Sequence, residues 1–69
     1  MLTRDVLKSY LLEMPKGHIF DMPYALFASV FPPGSADRTS WQQLKELADE
    51  CGFQLHDFSN EQRIELVKR

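Results

Sequence analysis

Two proline–glycine breaks constrain this chain more than any other feature. Pro15-Lys16-Gly17 and Pro32-Pro33-Gly34 each stop a helical pattern, because proline has no amide to continue the hydrogen-bond ladder. Both read as turns inside a single domain spanning residues 1–69. At this size folding buries only about 60% of the surface of the extended chain, enough for one two-layer core but not for a deep, walled active site. A non-catalytic protein is therefore expected.

The apolar fraction of 43% supplies that one core, and together with 12% aromatics it excludes an intrinsically disordered tail. Ten acidic against eight basic residues give a net charge of -2, which excludes a strongly basic peptide that coats nucleic acid. Cys51 stands alone, so an intrachain disulfide is impossible and a reducing, cytoplasmic setting is expected. The start, Met1-Leu2-Thr3-Arg4-Asp5, lacks the unbroken apolar run of a signal peptide or a membrane span, so no membrane attachment is expected.

From Thr3 to Met14, Val6, Leu7, Tyr10, Leu11 and Met14 fall on one stripe of a helix, with Thr3 as its cap and Asp5 at the positive end of its dipole. His18-Ile19-Phe20 reads as a stub strand. Asp21-Met22-Pro23 opens a second helix over Pro23 to Phe31, with Asp21 placed for the free amides. A third helix runs from Thr39 to Cys51, with Thr39 and Gln42 at the spacing of a capping box. Its apolar side is Trp41, Leu44, Leu47, Ala48 and Cys51, and Gly52 followed by Phe53 is a left-handed stop. The alternation of Phe53, Leu55, Ile64 and Leu66 with polar neighbours predicts a terminal hairpin over Phe53 to Val67, turning at Ser59-Asn60-Glu61-Gln62. Phe58 breaks the alternation, so it marks either a bulge or an aromatic on the outer face. The expected core is Val6, Leu7, Tyr10, Leu11, Ile19, Phe27, Val30, Trp41, Leu44, Leu47, Ala48, Phe53, Leu55, Ile64 and Leu66.

The order helix, short strand, helix, helix, strand, strand is that of an α+β winged-helix domain, a three-helix core with a C-terminal β-hairpin. The link from Phe31 to Thr39 is longer than the tight turn of helix-turn-helix regulators. The segment Asp37-Arg38-Thr39-Ser40-Trp41-Gln42-Gln43-Leu44, after the corner Phe31-Pro32-Pro33, resembles the loop and third helix of LOTUS (OST-HTH) domains. Ser40 stands where that family commonly has glycine. The resemblance implies RNA binding or docking onto a partner protein, rather than reading of duplex DNA.

Arg38, Thr39, Ser40, Gln42, Gln43 and Lys45 gather phosphate- and base-contacting types at the start of the third helix, where free amides add a positive dipole end. The hairpin adds Asn60, Gln62 and Arg63, with Lys68 and Arg69 at its base and Lys16 and His18 as further cations or donors. The same residues also read as the solvated face and cap of an amphipathic helix with scattered surface charge. Glu46, Asp49 and Glu50 occupy the other half of the helix and would repel phosphate unless turned away from it.

Catalytic and metal readings find less support. His18, His56 and Cys51 lack metal-ligand spacing, Cys51 sits on an apolar stripe, and no glycine-rich phosphate loop or paired carboxylate cluster is present, so no cofactor is implied. Trp41, at the first turn of an amphipathic helix, reads as a core anchor. The expected function is a small module that binds nucleic acid, DNA or RNA, through the start of the third helix and the hairpin. The alternative is a winged-helix protein-interaction module that captures a partner through helix two or Phe58.

Overall fold

A computed structural model describes residues 2–69. Among them are three α-helices and a three-stranded antiparallel sheet, in an order that agrees with the expected layout.

Helix α1 (Arg4–Glu13) starts where Thr3 Oγ1 accepts from the Val6 amide at 3.2 Å. It ends just before Pro15, with the Met14 amide on the Leu11 carbonyl. Only Leu7 and Leu11 of this helix are fully buried. Val6 and Tyr10, expected in the core, are 49% and 59% exposed. Successive helical residues are about 100° apart, so Val6 is turned well away from Leu7, and a domain this small covers only a narrow stripe of the helix.

Strand β1 (Ile19–Pro23) is a full strand rather than a stub, antiparallel to the C-terminal strand β3 (Arg63–Lys68) along its whole length. Asp21 and Met22, read from sequence as the opening of a helix, lie in this strand. The Asp21 carboxylate takes a hydrogen bond from Arg63 instead of capping anything. Because alternate residues face opposite sides of the sheet, Met22 is completely buried opposite Ile64, whereas Ile19, expected in the core, faces outward and is 57% exposed. Pro23 closes the strand at the sheet edge, where its missing amide costs no ladder bond. Helix α2 (Tyr24–Val30) then begins without a side-chain cap. The Gln62 carbonyl accepts the Tyr24 amide at 2.9 Å, so the hairpin satisfies what the sequence reading assigned to Asp21.

Helix α3 (Arg38–Cys51) is capped by Asp37, whose Oδ2 accepts from the Ser40 amide at 3.0 Å, not by Thr39. The Thr39–Gln42 spacing imitates a capping box two residues inside the true start. Gly52 at φ +78 ends the helix with its amide on the Ala48 and Asp49 carbonyls, and Phe53 is buried directly behind it.

Strand β2 (Phe53–Phe58) completes the sheet in the order β1-β3-β2. A 3-10 turn (Ser59–Glu61) and Gln62 in the left-handed conformation join it to β3. Phe58 pairs in register with Arg63, so there is no bulge: the ring points to the outer face, with the Arg63 guanidinium 4.5 Å from its centre. The inner face packs Met22, Phe53, Ile64 and Leu66 against Leu7, Leu11, Phe27, Leu44, Leu47, Ala48 and Cys51. Phe31 joins them fully buried, although the sequence reading left it and Met22 out. Val30, Trp41 and Leu55 are only partly buried at the margin of this core.

Candidate functional site

The turn of α3 divides the expected contact residues into three faces. Arg38, Trp41, Gln42 and Lys45, at spacings of three and four, share one stripe and together with Leu55 of β2 line an open cleft of about 370 Å³. Its floor is the apolar surface of Trp41 and Leu55. Arg38, Gln42 and Lys45 are exposed around it. Thr39 and Gln43 lie about 100° further around the helix. They share that side with Glu46 and with Glu50, whose carboxylate pairs with Lys8 of α1. The Lys8 ammonium holds Glu50 below its usual range, and Glu50 in turn raises Lys8.

Ser40, on the third face, is 1% exposed, and its hydroxyl oxygen accepts the Gly34 amide at 3.3 Å. It is a structural residue that no ligand reaches. The expected positive helix end is also altered: the Asp37 carboxylate accepts the Ser40 amide, and its negative charge offsets the dipole there.

Trp41 is held rigidly. Its indole N–H donates to the Ser35 carbonyl at 2.7 Å, and its ring meets Phe27 at 4.8 Å and Tyr24 at 6.0 Å in edge contacts. Tyr24 in turn donates its hydroxyl to the Asp57 carboxylate on β2, and this bond pushes the Tyr24 pKa up to about 12. Lys45 lies 3.5 Å from Asp49 in an exposed i,i+4 pair, a contact that salt screens readily. Arg38 makes no ion pair among the described residues.

The hairpin does not join this site as expected. Asn60 is exposed at the turn, but Arg63 is engaged by Glu65 at 2.6 Å, Glu61 at 3.1 Å and Asp21 at 3.3 Å. Hydrogen bonds to Glu65 and Glu61 raise its pKa further, so its charge persists but is answered within the chain. Lys68 donates to the Cys51 carbonyl at 2.7 Å and lies 5.0 Å from the centre of the Phe53 ring, closing the end of α3. Lys16 and His18 are exposed near this same end of β3, where the Gly17 amide meets the Lys68 carbonyl, a strand's length from the hairpin turn.

The partner surface expected on helix two is largely internal, since Phe27 is buried and Tyr24, Leu26 and Val30 are half-buried. Exposed apolar side chains lie on α1, at Val6, Tyr10 and Leu12, at Ile19 of β1, and at Phe58 of β2, the other expected partner contact, which is covered in part by Arg63. Cys51 is buried, and desolvation raises its thiol pKa, which disfavours the thiolate. No cluster of metal-ligating side chains occurs among the described residues, and no helix there is long and apolar enough to cross a membrane.

Sequence reasoning found the polar rim of the cleft but placed both floor residues in the core. The spacing of 38, 41, 42 and 45 was visible; the approach of Leu55 from another element was not. Comparison with protein-family models, curated proteins and solved structures returns no match to this chain.

Proposed function

We propose that this chain is a small, non-catalytic winged-helix module that binds nucleic acid through the cleft on α3. The observation that carries the reading is the convergence of Arg38, Gln42 and Lys45 on one exposed stripe around a floor of Trp41 and Leu55. Two cations supply phosphate contacts, the glutamine amide has both donor and acceptor for a base edge, and the floor offers an apolar surface to stack on. The likeness of residues 37–44 to LOTUS domains implies RNA binding or docking onto a partner protein, and the first of these agrees with this reading. Thr39 and Gln43 border the site from the next face, and the hairpin contributes Asn60 at most, because its arginine is neutralised.

A second reading draws on one specific observation. The apolar floor of Trp41 and Leu55 also suits capture of an apolar anchor on a partner protein. Titration of end-labelled DNA and RNA at low salt, followed by fluorescence anisotropy, separates the two. The nucleic-acid reading expects binding that weakens steeply with salt and is lost in the Arg38→Ala/Lys45→Ala double variant. Absence of binding to both polymers at low salt would leave the partner-protein reading.

A further inference from the structure

We infer that the cleft on α3 accepts an unstacked base of a single-stranded nucleic acid and discriminates against duplex. The inference rests on the nucleic-acid reading above and narrows it to one ligand class.

The layout of charge favours one strand over two. Arg38 and Lys45 lie seven residues apart on one helix face, a separation of about 10 Å along the axis, and place two cations in one line, the second of which also meets Asp49 one turn further on in a contact that salt screens. A duplex presents a phosphate strand on each side of its groove, so a protein entering that groove needs cations on both flanks. Here the flank opposite α3 is the outer half of β2, where the Asp57 carboxylate, two residues on from Leu55 and on the same face of the sheet, accepts from Tyr24 and pairs with no cation among the described residues; Arg63 with Glu65 lies on the opposite face of the sheet. That flank repels a second strand of phosphates. One strand running along Arg38 and Lys45 avoids the conflict.

The cleft floor favours an unstacked base. Trp41 and Leu55 place apolar surface between the cations, which a phosphate backbone cannot use and which a base stacked inside a duplex cannot reach. Bases splayed from a single strand stack on such surfaces, and the contact tolerates sequence because every base has a π-face. The indole N–H of Trp41 is already satisfied by Ser35, and its ring is wedged against Phe27 and Tyr24. The platform is therefore fixed before the ligand arrives and offers apolar contact only. Gln42 on the rim is left to hydrogen-bond the edge of the seated base.

Trp41 is the one tryptophan in the chain, so its fluorescence reports on the cleft directly. The test titrates the intact protein at low salt with single-stranded DNA and single-stranded RNA of about 10 nucleotides and mixed sequence, and with duplex DNA of the same sequence. Anisotropy of an end label on each oligonucleotide is recorded in parallel. The expected result is binding of at least one single strand with quenching of Trp41, and duplex binding at least tenfold weaker without quenching. The DNA and RNA arms show which sugar is accepted. Duplex binding as tight as that of the single strands, or single-strand binding that leaves Trp41 fluorescence unchanged, overturns the inference while leaving nucleic-acid binding in place. No anisotropy change with any of the three overturns both.

Discussion

The backbone amide of Gly34 donates to Ser40 Oγ at 3.3 Å, and this bond fastens the corner after Phe31 to the first turn of α3. The same corner brings Gly34, at φ +110, so close to α2 that an added Cβ would lie 2.7 Å from Ala28 Cβ. Gly34→Ala therefore combines an unfavourable backbone conformation with a collision against a neighbouring helix. A loss of about 2 to 4 kcal/mol is expected. Urea denaturation checks it, and an unchanged midpoint at unchanged slope would contradict the packing described.

Ser40→Ala removes the acceptor from a buried amide without creating a clash. The expected cost is about 1 to 2 kcal/mol, and nucleic-acid affinity measured well below the melting temperature should be unaltered. A stable Ser40→Ala protein with lost binding would return Ser40 to the contact surface.

Trp41 carries both the cleft floor and the contact between α3 and α2. Trp41→Ala should destabilise by about 3 kcal/mol, toward the lower end for large aromatic truncations because the ring is only partly buried. Trp41→Phe retains an aromatic ring and loses the hydrogen bond to Ser35, so about 1 kcal/mol is expected. Equal losses in the two variants, read from calorimetric unfolding, would show that packing of the indole contributes little.

The Tyr24–Asp57 bond makes a pH-dependent prediction with a definite sign. Folding raises the Tyr24 pKa from 10.0 to about 12, so the neutral phenol is the form that the fold favours. Its contribution is fully present below pH 10 and is lost as pH rises toward 12. Wild type should lose stability over that window more steeply than Tyr24→Phe, and the tyrosinate absorbance missing from the variant should titrate late in the native protein. Parallel stability curves for the two proteins would contradict the bond.

The helices and the hairpin were legible because their signals are local: Thr3 as a cap, Gly52 as a left-handed stop, and the alternation of Ile64 and Leu66. The start of α2 was misread because Asp21-Met22-Pro23 carries the chemistry of a helix start, while the pairing with Arg63, Ile64 and Glu65 that makes it a strand comes from the far end of the chain. Similarly, Arg63 looks like a free hairpin cation until the fold brings Asp21 to it across 42 positions. Trp41 and Leu55 read as core because their apolar character is local information, whereas the partial exposure that makes them a floor depends on what the packed elements leave uncovered.

In the proposed nucleic-acid complex, Arg38 and Lys45 contact phosphate and Arg63 does not. The most direct measurement is the salt dependence of single-strand affinity in wild type, Arg38→Ala, Lys45→Ala and Arg63→Gln, with circular dichroism confirming the fold of each. Arg38→Ala and Lys45→Ala should each lower the slope of log affinity against log salt by roughly 0.7, the loss of one phosphate contact on a single strand, while Arg63→Gln should leave it unchanged. A slope that falls with Arg63→Gln and holds with Arg38→Ala and Lys45→Ala would place the phosphate on the hairpin instead of α3.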